Sequence, residues 1–549
     1  MRSHCNMYKT GLLILTRPLP VLKSLVKAVL EEASAVVSTT LYIHIQPTTK
    51  NTKQKFHVEP ISCTKDFRLL MSQLYSSGAS LCNNLDVRIL LNHVTNLPTN
   101  KNLKLLFKKS CDVILIDNQN IVELFENNSE SLSNLLTSEL KGQPKVQTLK
   151  MKVESESNRV VNETDINSNL ESYNNVVLGG TFDRIHAGHK IMLSEGCFLA
   201  EAQLTVGVTD ENMNHKKTLC ELIAPTADRI RGVRDFLEDI KPSIQHRVVP
   251  ISDMFGPTIT DPELQFIVLS EETKKGGDIV NEERRKKGYP VLKEHVIELV
   301  NDACHNQYEE EKISSSSLRK RLLGTVINPI KLNNNVPPSP YVIGLTGGIA
   351  SGKSALCGRL EKLGAGVVDC DKLGHEVYLK GTVCYKTLIE QFGDQIVGED
   401  GEINRKVLGS IVFSDPSKLQ LLNKIVWPEI GRLAEEKIKK HTEDGKEVVV
   451  LEAALLLDAS WNDLVHEVWT SIVPAAEAVK RMMERNNFSE EEAKKRLKTQ
   501  LSNKERVQRS NVVLCTLWEY EYTQSQVEKA WALLQHRLKE RKRSEQSKY

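Results

Sequence analysis

The sequence predicts an α/β protein built from two consecutive parallel-sheet blocks, preceded by a smaller α/β region. Two local patterns and a pair of separators carry this expectation. Val176-Val177-Leu178 runs into Gly179-Gly180 and then into a helix-like Lys190-Ile191-Met192-Leu193. Val342-Ile343-Gly344-Leu345-Thr346 runs into a second glycine turn and then into Ala355, Leu356 and Leu360 at helical spacing. Strand, glycine turn and helix in that order form the unit from which open parallel sheets are wound. A polar stretch at 151–175 and Asn333-Asn334-Asn335-Val336-Pro337-Pro338-Ser339-Pro340 fence the blocks off.

At 549 residues the chain is too long for one core. Its 40% hydrophobic and 26% charged residues are ordinary for globular protein. A formal net charge of +2 excludes a general pull toward nucleic acid or an anionic membrane. Eleven scattered cysteines without a C-x-x-C pair exclude a zinc knuckle or a disulfide framework and read as reduced thiols. No run reaches the ~18 apolar residues that a membrane span needs.

Taken in order, residues 1–150 form the N-terminal α/β region. Gly11-Leu12-Leu13-Ile14-Leu15-Thr16, Leu41-Tyr42-Ile43-His44-Ile45, Val87-Arg88-Ile89-Leu90-Leu91 and Val113-Ile114-Leu115-Ile116 read as strands, with an amphipathic helix from Val21 to about Val36. The same beginning carries Arg2, Lys9, Arg17, Lys23 and Lys27 with no acid before Glu31, the composition of a mitochondrial presequence. A folded domain is the preferred reading, and no catalytic constellation is legible in it. Residues 151–175 hold too few apolar groups to offset their ordering entropy and read as a linker. The first block is 176–330, a proline-rich spacer follows at 331–340, the second block is 341–540, and 541–549 is a charged, frayed tail.

In the first block the chain reads Gly179-Gly180-Thr181-Phe182-Asp183-Arg184-Ile185-His186-Ala187-Gly188-His189. His186 and His189 are three apart at a helix start, so both imidazoles share one face and can meet one phosphate chain. Gly188 leaves that face bare for a purine or ribose. Lys312-Ile313-Ser314-Ser315-Ser316-Ser317-Leu318-Arg319 offers hydroxyls and backbone N–H groups at a second helix start, with an arginine one turn later, as a phosphate clamp. These two segments resemble the paired signatures of the Rossmann-like nucleotidyltransferases. Val268 to Gly277 is similar to the corresponding segment of the eukaryotic phosphopantetheine adenylyltransferases. The resemblance implies adenylyl transfer from ATP to a phosphate monoester. Thr181, His186 and His189 would be catalytic, Gly179, Gly180, Gly188, Ser314, Ser315 and Arg319 would bind ATP, and Lys216 or Lys217 would neutralise the acceptor.

The second block opens with Gly347-Gly348-Ile349-Ala350-Ser351-Gly352-Lys353-Ser354, a P-loop without a mismatch. Its backbone N–H groups must curl around phosphate, Lys353 reaches the β- and γ-phosphates, and the Ser354 hydroxyl holds Mg²⁺, the expected metal cofactor. An apolar strand then ends on Asp369-Cys370-Asp371, two carboxylates placed to take a hydroxyl proton or orient it. Together with Ile403-Asn404-Arg405-Lys406, Trp427-Pro428-Glu429-Ile430 and the apolar run from Val448 to the acid Asp458, this resembles the dephospho-coenzyme A kinases. Trp427 stands where that family has a histidine. The resemblance implies Asp371 as first choice of base and Asp369 as second, and Arg405 on the substrate; Arg481 and Arg485, one turn apart, could act together from a lid on the transferring group, with Arg485 the better candidate. Gln500 and Arg506 would follow the adenine and ribose.

The order of the blocks resembles the bifunctional coenzyme A synthases of animals. It implies the last two steps of coenzyme A assembly, with ATP, phosphopantetheine and dephospho-coenzyme A as small-molecule partners. No nucleic acid is expected, the chain is expected to be monomeric and cytoplasmic, and the N-terminus leaves peripheral mitochondrial association open. Two other readings fit the residues: a nucleotidyltransferase of different acceptor joined to a nucleoside-type kinase, and a nucleotide-binding scaffold.

Overall fold

The acid-poor beginning of the chain is core. β1 (Tyr8–Leu15) is a continuous apolar run with Leu12, Leu13 and Ile14 fully buried, as a strand covered on both faces requires. The helix Leu19–Ser34 starts after Pro18, with Pro20 in its first turn, where a missing N–H costs nothing. It buries Leu22, Val26, Val29, Leu30 and Ala33 along one face. Cleaving a leader of about thirty residues would therefore remove the central strand of a sheet, which favours the folded-domain reading for 7–47. The computed structural model describes residues 7–47, 58–81, 85–94, 111–119, 121–123, 144–149 and 171–546. The expected linker lies outside them except for 171–175, as do 547–549 of the expected tail; the described part of that tail continues the helix Tyr520–Gln546.

The chain divides into two units, Met1–Leu318 and Arg319–Tyr549. The first holds two parallel sheets. β1, β2 (Val37–Ile45), β3 (Asp86–Ile89), β4 (Val113–Ile116) and β5 (Lys145–Thr148) are ordered β3-β2-β1-β4-β5. β6 (Tyr173–Gly180), β7 (Ala200–Thr209), β8 (Gln245–Ile251), β9 (Phe266–Ser270) and β10 (Lys293–Ile297) are ordered β10-β9-β6-β7-β8. One apolar core runs through both, with Phe67 edge-on to Phe198 at 5.7 Å. Charge is buried with it: Asp239 is fully inaccessible and accepts from Arg88 Nη1 at 2.5 Å and from Tyr42 Oη at 2.6 Å. The Asp239→Ala variant removes one of three carboxylates around Arg88, leaving Asp86 at 2.8 Å and Asp235 at 3.0 Å, so a loss of about 1–3 kcal/mol is expected, to be measured by urea unfolding of the full chain.

In the second unit, β11 (Tyr341–Gly347), β12 (Gly366–Asp369), β13 (Val448–Glu452), β14 (Glu467–Ile472) and β15 (Val512–Cys515) form a parallel sheet ordered β12-β13-β11-β14-β15, with β11 buried along its whole length. Here the structure departs from two sequence expectations. The division falls inside the helix Ser315–Leu322 rather than near 330, because 324–328 are tied along β15. Gly324 N donates to Val513 O at 2.9 Å, Ile327 N to Asn511 O at 2.8 Å and Asn328 Nδ2 to Ser510 O at 2.7 Å. The proline-rich spacer is likewise pinned, since Asn333 Nδ2 donates to Asp463 O at 2.9 Å and Val465 O at 3.1 Å. This strap borders a recess of about 760 Å³ beside the entry to β14, at the end of the sheet opposite the P-loop.

Candidate active sites

The first site forms where β6 ends. Gly180 lies against the Phe182 ring, from which a Cβ there would stand 3.2 Å. Phe182 and Arg184 take left-handed backbone at φ 48° and 52°, a conformation that costs non-glycine residues about 1–3 kcal/mol and persists only where surroundings enforce it. Asp183 supplies the enforcement: fully buried, it accepts from Arg184 Nη1 at 2.9 Å and Ala224 N at 3.1 Å. Arg229 adds to it by donating to Thr181 O at 2.7 Å and Ala224 O at 2.8 Å. Neither Asp183 nor Arg229 is among the site candidates that the sequence offers. Asp183 lay within the motif, whereas Arg229, 48 residues beyond Thr181, sits in an amphipathic helix without local signal.

His186 caps the helix Ala187–Leu199, and His189 lies one turn on, so the two rings stack at 3.7 Å between centroids, as their spacing predicts. Both Nδ1 atoms are buried and have no hydrogen-bond partner among the described residues. Burial pushes the His186 imidazole down to about 4, and burial beside His186 takes His189 well below its usual value. Both rings are therefore neutral at pH 7. The bare face expected at Gly188 is instead covered, because the His186 ring lies 3.3 Å from where its Cβ would be.

The second signature reaches this turn from 132 residues away: Ser315 Oγ donates to Asp183 O at 3.0 Å. Ser314 Oγ accepts from Ser317 N at 3.1 Å and so holds the start of the helix Ser315–Leu322. Arg319, one turn later, is almost fully buried and opens the second unit. Of the two candidate lysines, Lys217 donates through Nζ to Thr181 Oγ1, whereas Lys216 is exposed.

The second site sits at the C-terminal end of β11. Gly347 touches Ser351 Oγ and Ser471 O so closely that a Cβ would stand 2.5 and 2.6 Å from them, and Gly352 turns the chain at φ 84° into the helix Lys353–Lys362. Lys353 Nζ donates to Gly347 O at 3.2 Å and Gly348 O at 3.4 Å, lying across the loop's hollow. Burial lowers its pKa against the pull of Asp371 and Glu452. Ile349 N donates to Gln500 Oε1 at 2.9 Å, so Gln500 holds a P-loop amide. Arg506 is buried near Gly348, with Nη1 3.5 Å from where a Cβ there would stand.

Ser354 Oγ donates to Glu452 Oε1 at 2.9 Å. Glu452, buried at the end of β13, is thus the acid that this strand brings to the site, and Asp458, expected there from sequence, is exposed beyond it. Glu452 pairs in register with Asp369, which caps the helix Cys370–Glu376 by accepting from Lys372 N at 3.0 Å. Asp371 is exposed in that helix's first turn, near enough to raise the Lys353 pKa. Asp369 is thereby engaged as a cap, while Asp371 faces solvent.

Arg481 braces the loop: it donates to Ala350 O at 3.3 Å, to Thr516 Oγ1 at 2.9 Å and to Thr516 O at 2.6 Å. Arg485, one turn on, is exposed. Ile349 and Ala350 pack against Val479, Met482 and Ala493, so the basic helices Ala475–Asn486 and Glu490–Lys498 rest on the P-loop. Arg405 lies over the Tyr378 ring at 5.8 Å.

A nucleotide-type turn with stacked histidines and a P-loop facing acidic strand ends define a two-site transferase. Three family models match in succession: COASY N-terminal domain over residues 9–129, cytidylyltransferase-like over 177–321 and dephospho-CoA kinase over 341–516. The dephospho-CoA kinase of Carboxydothermus hydrogenoformans is 40% identical over 34% of this chain and 90% of its own length. That of Geobacter sulfurreducens is 41% identical over 35% of this chain and 97% of its own. A solved dephospho-CoA kinase from Campylobacter jejuni is 23% identical, with a TM-score of 0.29, over 35% of this chain and 96% of its own. The chain belongs to the dephospho-CoA kinase family. With its cytidylyltransferase-like domain it is a bifunctional transferase with the domain set of a bifunctional coenzyme A synthase.

Proposed function

We propose that the first site adenylylates phosphopantetheine and the second phosphorylates the ribose 3′-hydroxyl of the dephospho-coenzyme A so made. The observation that supports the first half is the neutral, stacked His186–His189 pair at a helix start. The acceptor is a phosphate monoester, already ionised, so no strong base is needed. Its oxygen bonds to the α-phosphorus of ATP, the bond from that phosphorus to the β-phosphate oxygen breaks, and pyrophosphate leaves. Thr181, His186 and His189 offer donors to the charge that develops, Lys217 stands at Thr181 to meet the acceptor, and Ser314 and Ser315 hold the opposite side.

In the second site Lys353 and the P-loop N–H groups take the β- and γ-phosphates once Lys353 and Gln500 release their present partners. Asp371, the exposed carboxylate, accepts the hydroxyl proton, the hydroxyl oxygen bonds to the γ-phosphorus, the bond from that phosphorus to the β-phosphate oxygen breaks, and ADP leaves. Arg485, exposed on the helix Ala475–Asn486, reaches the transferring group from the lid. Ser354 and Glu452, a hydroxyl and a carboxylate 2.9 Å apart, are the hard oxygen donors that Mg²⁺ takes. When bound it neutralises phosphate charge. Glu452→Gln is expected to lower kinase turnover or apparent Mg²⁺ affinity about 10- to 100-fold, read by titrating Mg²⁺ in the kinase assay.

Purified full chain supplied with phosphopantetheine and ATP should yield dephospho-coenzyme A and pyrophosphate, then coenzyme A and ADP. No dephospho-coenzyme A from folded protein would overturn this assignment. Because burial holds His186 at about 4, its imidazole should stay neutral from pH 7 to 5, read from the histidine ring NMR shifts of the full chain. An inflection near 6.5 would instead mark an ordinary, solvated histidine. The linked stability contribution is complete above the unfolded-state value of about 6.5, erodes below it and is gone under about 4.

A further inference from the structure

The two sheets of the first unit share one topology. Numbered within each domain by chain order, both read third-second-first-fourth-fifth, all parallel. Both place a helix after the first strand, Leu19–Ser34 and Ala187–Leu199, and another before the third, Lys65–Leu81 and Thr226–Ile240. In both, the residue directly after the first strand is a threonine, Thr16 and Thr181. Open parallel sheets bind ligands at the carboxyl ends of their strands, where the strand order reverses, which here is between the first and fourth strands.

In the catalytic copy that place holds Gly179-Gly180-Thr181 and the histidines. In the N-terminal copy Ile14 and Leu15 replace the glycines and are buried. Asp117, following β4 and 2% exposed, fills the position an anion would take. Its carboxylate accepts from Thr16 N at 2.9 Å, Thr16 Oγ1 at 2.7 Å and Arg17 N at 3.2 Å. The N–H groups that would grip phosphate are thus already satisfied by the chain's own acid.

The second observation is what this copy grips. Lys190, next to His189, donates through Nζ to Asp86 Oδ1 at 2.6 Å and Val87 O at 2.9 Å. Glu195, one turn beyond Ile191 on the same helix and buried, accepts from Arg68 Nε at 2.7 Å. Two charged contacts from the N-terminal sheet and its second helix therefore set the axial position of the helix that carries both imidazoles.

We propose that the N-terminal domain is a second copy of the nucleotidyltransferase fold whose anion seat is closed by its own Asp117, and that it serves as a positioning partner for the helix Ala187–Leu199, with Asp86 and Arg68 as positioning residues. The proposal rests on the adenylyl-transfer reading, and wild-type activity tests that reading separately. In an active wild-type background, Asp86→Ala is expected to lower adenylyl-transfer kcat about 10- to 100-fold, with KM for ATP moving less than kcat. Kinase turnover in the same sample should be unchanged, and Asp86→Glu should restore part of the lost kcat. Unaltered adenylyl transfer, or a parallel fall of both activities together with Tm, would overturn the proposal. Arg68→Met supplies the same comparison should the first variant not fold. Equilibrium dialysis of the full chain with a non-hydrolysable ATP analogue should saturate at two per chain, and a third equivalent would overturn the closed seat.

Discussion

Replacing Lys353 with alanine is expected to lower the kinase step by about a thousandfold in kcat, roughly 4 kcal/mol of transition-state stabilisation, while adenylyl transfer is unchanged. Lys353 Nζ already lies within 3.2 and 3.4 Å of the carbonyls of Gly347 and Gly348, so its charge is aimed into the loop before any nucleotide arrives. Burial lowers its pKa, and the β- and γ-phosphates would raise it again. An alanine leaves the loop's backbone intact, because the turn is shaped by Gly347 and Gly352 and braced by Arg481. Nucleotide should still bind, weakly. The measurement is dephospho-coenzyme A conversion to coenzyme A, with pyrophosphate release from the other site as control. A fall in both activities from folded protein would contradict two separate sites.

His189→Ala is expected to do the reverse, removing adenylyl transfer by about 100- to 1,000-fold and sparing the kinase. The His189 ring stacks on His186 at 3.7 Å and lies 5.0 Å from Phe182, whose left-handed backbone shapes the turn. Its loss therefore removes one donor and unseats the other. For that reason His189→Asn, which keeps a donor but not the stacked ring, should recover little activity. Full activity of the asparagine variant would mean that donation alone matters and that the stacking is incidental.

The parts of both sites legible in sequence are those made by one short stretch of chain. Gly179 to His189 and Gly347 to Ser354 each specify a strand end, a turn and a helix start within about a dozen residues, through glycine's freedom and helical spacing. The apolar run of β1 leaves two readings open, a buried strand and part of a presequence, and its burial in the sheet supports the first. Where sequence reading went astray, long-range pairing decided. Asp458 ends the apolar run in sequence, yet strand β13 stops at Glu452, whose register with Asp369 brings it to Ser354. Gly188 looked open because the motif alone does not say where the His186 ring turns.

Local pattern alone carries the two phosphate-gripping turns and their order along one chain. Which side chains lie at them belongs to the folded molecule. It chose Lys217 over Lys216 at Thr181, committed Arg481 to bracing the loop, brought Ser315 to Asp183, and set an N-terminal sheet of matching topology against the histidine helix. The physical reason is reach. Backbone conformation follows from neighbours along the chain, whereas a hydrogen bond between residues a hundred positions apart depends on strand order and packing that no local pattern encodes.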